Sequence, residues 1–224
     1  FIVFEDSDID AAVQGALISK YRNSGQTCVC TNRILIQKNI HDEFVEKLVA
    51  ATAELKMGNG LDAGVQQGPL VNSGAVDDVD TLVRLSTEAG AEVALGGARS
   101  DLGPCYYQPT VLTAVTPEMA VFRNEIFGPV APVLSFTDEE QAISLANDTE
   151  FGLASYFYTR DIGRVWRVAE ALDYGMVGIN EGIISNEMAP FGGVKASGSG
   201  REGSKYGIDD YLEIKYILMG GLDR

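Results

Sequence analysis

Apolar positions along this chain recur with two periods, and the switches between them predict its elements. The opening Phe1-Ile2-Val3-Phe4 reads as a strand. Ile9, Ala12, Val13, Ala16 and Leu17 then recur at i, i+3, i+4, i+7 and i+8, one face of a helix with Asp8 as its N-cap. A strand through Ile34, Leu35 and Ile36 follows, then a helix carrying Phe44, Leu48, Ala51 and Leu55 that ends near Gly58. Val76, Val79, Leu82 and Val83 mark a third helix, stopped around Gly90 and feeding the strand Glu92-Val93-Ala94-Leu95. In the second half, strands over 130–136 and 154–158 flank a helix with Ala142, Ile143 and Ala146. Ile162, Val165, Trp166, Ala169 and Leu172 give another helix, followed by a strand from Met176 to Asn180. Such alternation predicts an α/β fold, a three-layer αβα domain around a mostly parallel sheet.

From Tyr211 to Met219 the pattern changes. Leu212, Ile214, Tyr216 and Leu218 fall on one face of a strand, with Glu213 and Lys215 on the other. A terminal strand of this kind can close its own sheet or pair with the edge of another chain's sheet. The organisation expected is therefore one domain over residues 1–207 and a C-terminal strand over 208–224. Before it, Gly198-Ser199-Gly200-Arg201-Glu202-Gly203 matches a dinucleotide fingerprint by letter, but the flanking residues supply neither the strand nor the helix that the fingerprint needs. A turn-rich connection is expected there. The chain begins inside a core-like strand without a Met, as a piece of a longer polypeptide would.

With 224 residues, 46% of them hydrophobic, the chain can bury a sizeable core. A formal net charge of -15 argues against nucleic acid or an anionic membrane as a partner. No apolar run approaches the roughly 18 residues that span a bilayer. Three cysteines without framework spacing, and no secretory or transit-like segment, favour a reducing, cytoplasmic setting.

Cys28 is the leading candidate for chemistry. It follows Gly25-Gln26-Thr27 in a turn between helix and strand, where glycine lets the backbone approach a ligand. The only histidine is His41, which reads as a helix-start residue, so a Cys-His pairing has little to draw on. A buried structural thiol is the plainer alternative. Cys30, two residues on, is a possible redox partner: a Cys28–Cys30 disulfide would be strained and easily reduced, whereas the plainer reading is a buried thiol on the next strand. Cys105 and His41 have no metal-ligand spacing to this pair, so no metal site is expected. In Asn124-Glu125-Ile126-Phe127-Gly128-Pro129, a carboxylate can hold ribose hydroxyls and an aromatic ring can pack a flat heterocycle. Composition alone favours a surface Glu125 and a core Phe127 before a turn.

Gly25-Gln26-Thr27-Cys28, Glu125-Ile126-Phe127-Gly128-Pro129, the run from Asn147 to Leu153 and the run from Pro190 to Gly198 resemble, in order, the motifs of the aldehyde dehydrogenase superfamily. The resemblance extends over essentially the whole chain. Arg22, the Cys28-Val29-Cys30 triplet, Gly182-Ile183-Ile184-Ser185-Asn186 and the run from Gly200 to Tyr216 resemble its succinate-semialdehyde dehydrogenase branch. The resemblance implies that Cys28 attacks an aldehyde carbon, that a hydride leaves the thiohemiacetal for NAD or NADP, and that water hydrolyses the thioester. It assigns Glu125 to the nicotinamide ribose, Phe127 to the nicotinamide pocket, and Arg22 and Ser185 to the distal carboxylate of the substrate. Arginine suits that task as a two-pronged donor, although a helix-end cation is the plainer reading of Arg22. It also implies a homodimer or homotetramer joined through the terminal strand. The family's cofactor-binding domain, its glutamate base and the Asn of its oxyanion site would lie upstream of Phe1, so these 224 residues alone are expected to bind cofactor poorly and not to turn over. Glutarate semialdehyde is the alternative substrate, and a non-catalytic oligomerising module of the same fold the alternative of another class.

Overall fold

A computed structural model describes residues 1–222. A seven-stranded sheet runs through it in the order β3-β4-β5-β2-β1-β6-β7. The strands are β1 (Ile2–Val3), β2 (Ile34–Gln37), β3 (Glu92–Leu95), β4 (Thr110–Thr113), β5 (Val130–Phe136), β6 (Ala154–Tyr158) and β7 (Met176–Ile179). Every neighbouring pair is parallel except β3 with β4, which is antiparallel at the edge. Register is fixed by burial on both faces, because a slip of one residue would exchange the faces. Ile2, Leu35, Leu112, Leu134 and Phe157 point into one core, and Val3, Ile34, Ile36, Val111, Val133 and Tyr156 into the other.

The helices close the layers. α1 (Ile9–Tyr21) and α2 (His41–Ala53) pack Val13, Ala16, Phe44 and Leu48 on one face. α3 (Ser73–Glu88), the single turn α4 (Ala120–Arg123), α5 (Glu139–Asn147) and α6 (Ile162–Ala171) cover the other with Val76, Val79, Val121, Ala142 and Val168. Four of these helices start where a side chain satisfies a free amide: Asp8, Asn72, Asp138 and Asp161 each accept from a backbone N–H of the first turn. The expected αβα architecture holds. α2 stops at Ala53, short of Gly58, with the Leu55 amide turning back to the Thr52 carbonyl at 3.1 Å. Among the described residues no helix is long and apolar enough to cross a membrane.

The tail forms no strand among the described residues. Asp209–Tyr211 form a 3-10 turn, and Leu212 to Gly220 follow exposed and without regular secondary structure. Among the described residues the tail pairs with neither edge strand of the sheet, β3 or β7. The last residues of the expected 208–224 segment, Asp223 and Arg224, lie outside the described residues. Gly198 to Gly203 form an irregular connection, as expected, pinned by the Arg201 guanidinium to the carbonyls of Gly193 (2.8 Å) and Gly200 (2.6 Å).

Candidate active site

Between α1 and β2 the backbone takes left-handed conformations at three residues in succession: Asn23 (φ 52), Ser24 (φ 55) and Gly25 (φ 76). The two non-glycine residues each carry about 1–3 kcal/mol of strain, which persists only where the surroundings fix it. They are fixed here. The Asn23 side-chain amide donates to the Gln26 carbonyl (3.0 Å), the Ser24 hydroxyl donates to the Gly68 carbonyl (3.0 Å), and Gln26 Oε1 accepts from the Val71 amide (2.9 Å). Beyond Cys28, the buried Tyr156 hydroxyl donates to the Val29 carbonyl at 2.9 Å, and the Thr31 amide donates to the Ser19 carbonyl at 3.1 Å. Cys28 itself is exposed at the crest of this braced loop.

The second wall comes from the segment leading into β5. Phe127 is also left-handed (φ 45), unusual for so large a residue, and its ring is exposed beside the exposed Glu125. The two segments touch directly. A Cβ on Gly25 would collide with the Gly128 carbonyl, so only glycine, which also accepts the positive φ, seats one loop on the other. Asn32 adds a tie: its side-chain amide donates to the Asn124 carbonyl and accepts from the Ile126 amide, both at 2.9 Å.

These walls enclose a cavity of about 340 Å³ bordered by Cys28, Cys30, Glu125, Phe127 and Lys20. It also touches Ile2, Ala154 and the residues just before β2, so it sits at the amino-terminal ends of the central parallel strands. Lys20 is 1% exposed and lines the cavity. Burial pulls its pKa from 10.5 down to about 8, against the opposing charges of Cys30 and Glu125. Arg33 shapes the rim, donating to the carbonyls of Leu145 (3.0 Å) and Ala146 (2.9 Å) at the end of α5 and to the Tyr174 hydroxyl (2.9 Å). An exposed thiol, a carboxylate and an exposed aromatic ring share one cavity of ligand size.

A family model described as Aldehyde dehydrogenase family matches residues 1–217. The chain belongs to the aldehyde dehydrogenase family. It is 60% identical over 222 residues to the glutarate-semialdehyde dehydrogenase of Pseudomonas aeruginosa, covering 99% of this chain and 46% of that protein. To the NADP(+) succinate-semialdehyde dehydrogenase GabD of Escherichia coli it is 57% identical, over 98% of this chain and 46% of that protein. The crystal structure of succinate-semialdehyde dehydrogenase from Burkholderia pseudomallei superposes with a TM-score of 0.96 at 59% identity, over 97% of this chain and 45% of that one. The chain thus spans about half the length of the aldehyde dehydrogenase relatives it matches.

Of the residues that the sequence singles out, Cys28, Cys30, Glu125 and Phe127 meet at the cavity. Arg22 does not. It is exposed and borders a narrow cleft, with Ile18, Thr27, Val29, Gly182 and Ile183, that has no room for a water molecule. Ser185 is exposed, two residues beyond that cleft. Phe127 is no core residue, and Cys30 lies half-buried in a turn rather than on the next strand, with its sulfur 2.8 Å from Thr27 Oγ1. Lys20, Asn32 and Arg33 are cavity residues that the motifs did not single out. Lys20 leaves a sequence signal, because it continues the Ala12–Ala16 row of α1 at i+4 and so places a cation on the buried stripe.

Proposed function

We propose that this chain is the thiol-bearing half of an NAD(P)-dependent semialdehyde dehydrogenase, oxidising succinate semialdehyde to succinate. The observation that carries the reading is the exposed Cys28 thiol on a braced loop, sharing one cavity with Glu125 and Phe127. Arg22 is exposed at the start of the same loop. An aldehyde held by its far carboxylate at Arg22 presents its carbonyl carbon to the Cys28 sulfur. The thiolate adds to that carbon, giving a thiohemiacetal. Loss of hydride leaves a thioester, and water cleaves it to the carboxylic acid and the free thiol.

The nicotinamide group, when bound, supplies the hydride acceptor. The cavity fits the nicotinamide end of such a cofactor: its exposed carboxylate can accept from two ribose hydroxyls and its exposed ring gives a flat surface. Glu125 and Phe127 would hold that end, in NAD or in NADP. Three free thiols among the described residues accord with a cytoplasmic setting. The exposed, unpaired Leu212 to Met219 segment accords with a homodimer or homotetramer in which it pairs with a neighbouring subunit.

Glutarate semialdehyde is the second reading, favoured by the P. aeruginosa relative. One methylene changes the discrimination by only about 1–3 kcal/mol. Arg22→Met in the full-length protein tests the carboxylate grip. The KM for succinate semialdehyde should rise at least about tenfold, as loss of a charge-assisted hydrogen bond requires, while an uncharged aldehyde of equal length is oxidised as before. Equal losses on both aldehydes would remove Arg22 from substrate recognition.

A further inference from the structure

The Glu125 carboxylate is exposed on a segment with no regular secondary structure, one residue from a buried Ile126 and two from the strained Phe127. Something must fix where it points. We propose that Asn32 is the positioning residue for Glu125, holding the backbone on both sides of it. The inference rests on the reading of Glu125 as a ribose-binding carboxylate.

The geometry is that of a strand pairing made by a side chain. In a parallel ladder, one residue donates to the carbonyl before its neighbour and accepts from the amide after it. The Asn32 amide does the same, donating to the carbonyl of Asn124 and accepting from the amide of Ile126, each at 2.9 Å, with Glu125 between. Asn32 precedes β2 and Glu125 precedes β5, and those two strands pair in parallel. The tie is out of register with that ladder, in which Ile34 faces Val133, so the side chain makes a separate bridge between the two segments. Asn124 is extended (φ -106, ψ 153), as such pairing requires. Among the described residues these are the only hydrogen bonds between the loop of Cys28, residues 22–33, and the segment 124–129. Only a side chain with one donor and one acceptor in a fixed plane can make both. Alanine makes neither, and aspartate keeps the acceptor but sets an oxygen against the Asn124 carbonyl. The consequence is a Glu125 whose Cα–Cβ direction is set before any ligand arrives, in register with the loop that carries the nucleophile.

The experiment is a double-mutant cycle in the full-length protein, reading the dissociation constants of NAD and NADP by titration calorimetry and the alkylation rate of Cys28 by iodoacetamide without cofactor. Asn32→Ala should weaken binding of the preferred cofactor about tenfold and speed amide hydrogen exchange at Ile126, with Cys28 alkylation changed less than about twofold. In a Glu125→Ala background, Asn32→Ala should cost less than about twofold more. Asn32→Asp should lie between Asn32→Ala and the wild type. If Asn32→Ala leaves cofactor binding intact, or if its loss multiplies in full with that of Glu125→Ala, the positioning role is overturned. If Glu125→Ala alone leaves binding intact, the ribose-binding reading falls, and this inference with it. Should Asn32→Ala fail to fold, Asn32→Asp decides by the same criteria.

Discussion

Replacing Lys20 by methionine, nearly its equal in volume, should stabilise this protein at neutral pH and remove a pH dependence at alkaline pH. Lys20 is buried to 1% exposure and its ammonium is held at a pKa of about 8 instead of 10.5. Below pH 8 both the folded and the unfolded chain carry the proton, and the folded state bears the whole cost of a charge taken out of water. As pH rises from about 8 to 10.5, the folded form has released its proton while the unfolded form still holds it, so stability increases with pH. At about 1.4 kcal/mol per pH unit, the window between about 8 and 10.5 is worth about 3 kcal/mol. Methionine has nothing to titrate. Urea unfolding of both proteins at several pH values between 7 and 10.5 should show Lys20→Met ahead by up to about 3 kcal/mol at pH 7, with the gap closing as pH rises. A gap that stays constant across the range, or a variant less stable at pH 7, would refute the argument.

Gly25→Ala forces a Cβ onto the Gly128 carbonyl at a residue with φ 76. We expect a loss of about 2–4 kcal/mol, seen as a clearly lower melting temperature, and an unchanged one would mean that the two loops are not seated as described. Arg33→Ala strips donors from the last carbonyls of α5 and uncovers the Phe122 ring, over which the guanidinium lies at 4.7 Å. It should cost about 1.5–3 kcal/mol in denaturant, and a loss below about 0.5 kcal/mol would count against the cap. Burial pushes the Asp6 carboxyl up, but hydrogen bonds from Thr159 and the Arg160 amide, with Arg164 and the Asp161 amide, outweigh it and hold the group below its ordinary 3.8. A depressed carboxylate stabilises the fold at neutral pH and loses that contribution as pH falls through its folded value, so Asp6→Asn should flatten the acid limb of stability below pH 4. An unaltered acid limb would contradict this.

Most of the layer architecture is legible in the sequence because strands buried on both faces read as short continuous apolar runs, while the helices keep their stripes. Thr110–Thr113 escapes notice because only two apolar residues lie between its threonines, and Ala120–Arg123 because it is a single turn. In the tail, Leu212, Ile214, Tyr216 and Leu218 alternate like a strand, but among the described residues they pair with neither sheet edge, because alternation alone does not choose a partner. At the site, the motif resemblance singles out Cys28, Glu125 and Phe127, and the structure brings them to one cavity. What holds them there is not readable from spacing. Asn32 and Glu125 stand 93 positions apart in the sequence, and the contact of Gly25 with Gly128 depends on backbone approach alone. Lys20 was legible in principle, as a cation on an apolar stripe, but a stripe position does not tell a core site from a cavity floor.

In the proposed reaction the Cys28 sulfur becomes covalently bound to the aldehyde carbon. Acid quench of the full-length protein during turnover with succinate semialdehyde and cofactor, followed by peptide mass mapping, reads that bond directly. A succinyl mass is expected on the peptide containing Cys28, absent in Cys28→Ser, whose oxidation rate should fall by at least about a thousandfold. Oxidation at an undiminished rate by Cys28→Ser, or a substrate-derived mass only on another peptide, would contradict it.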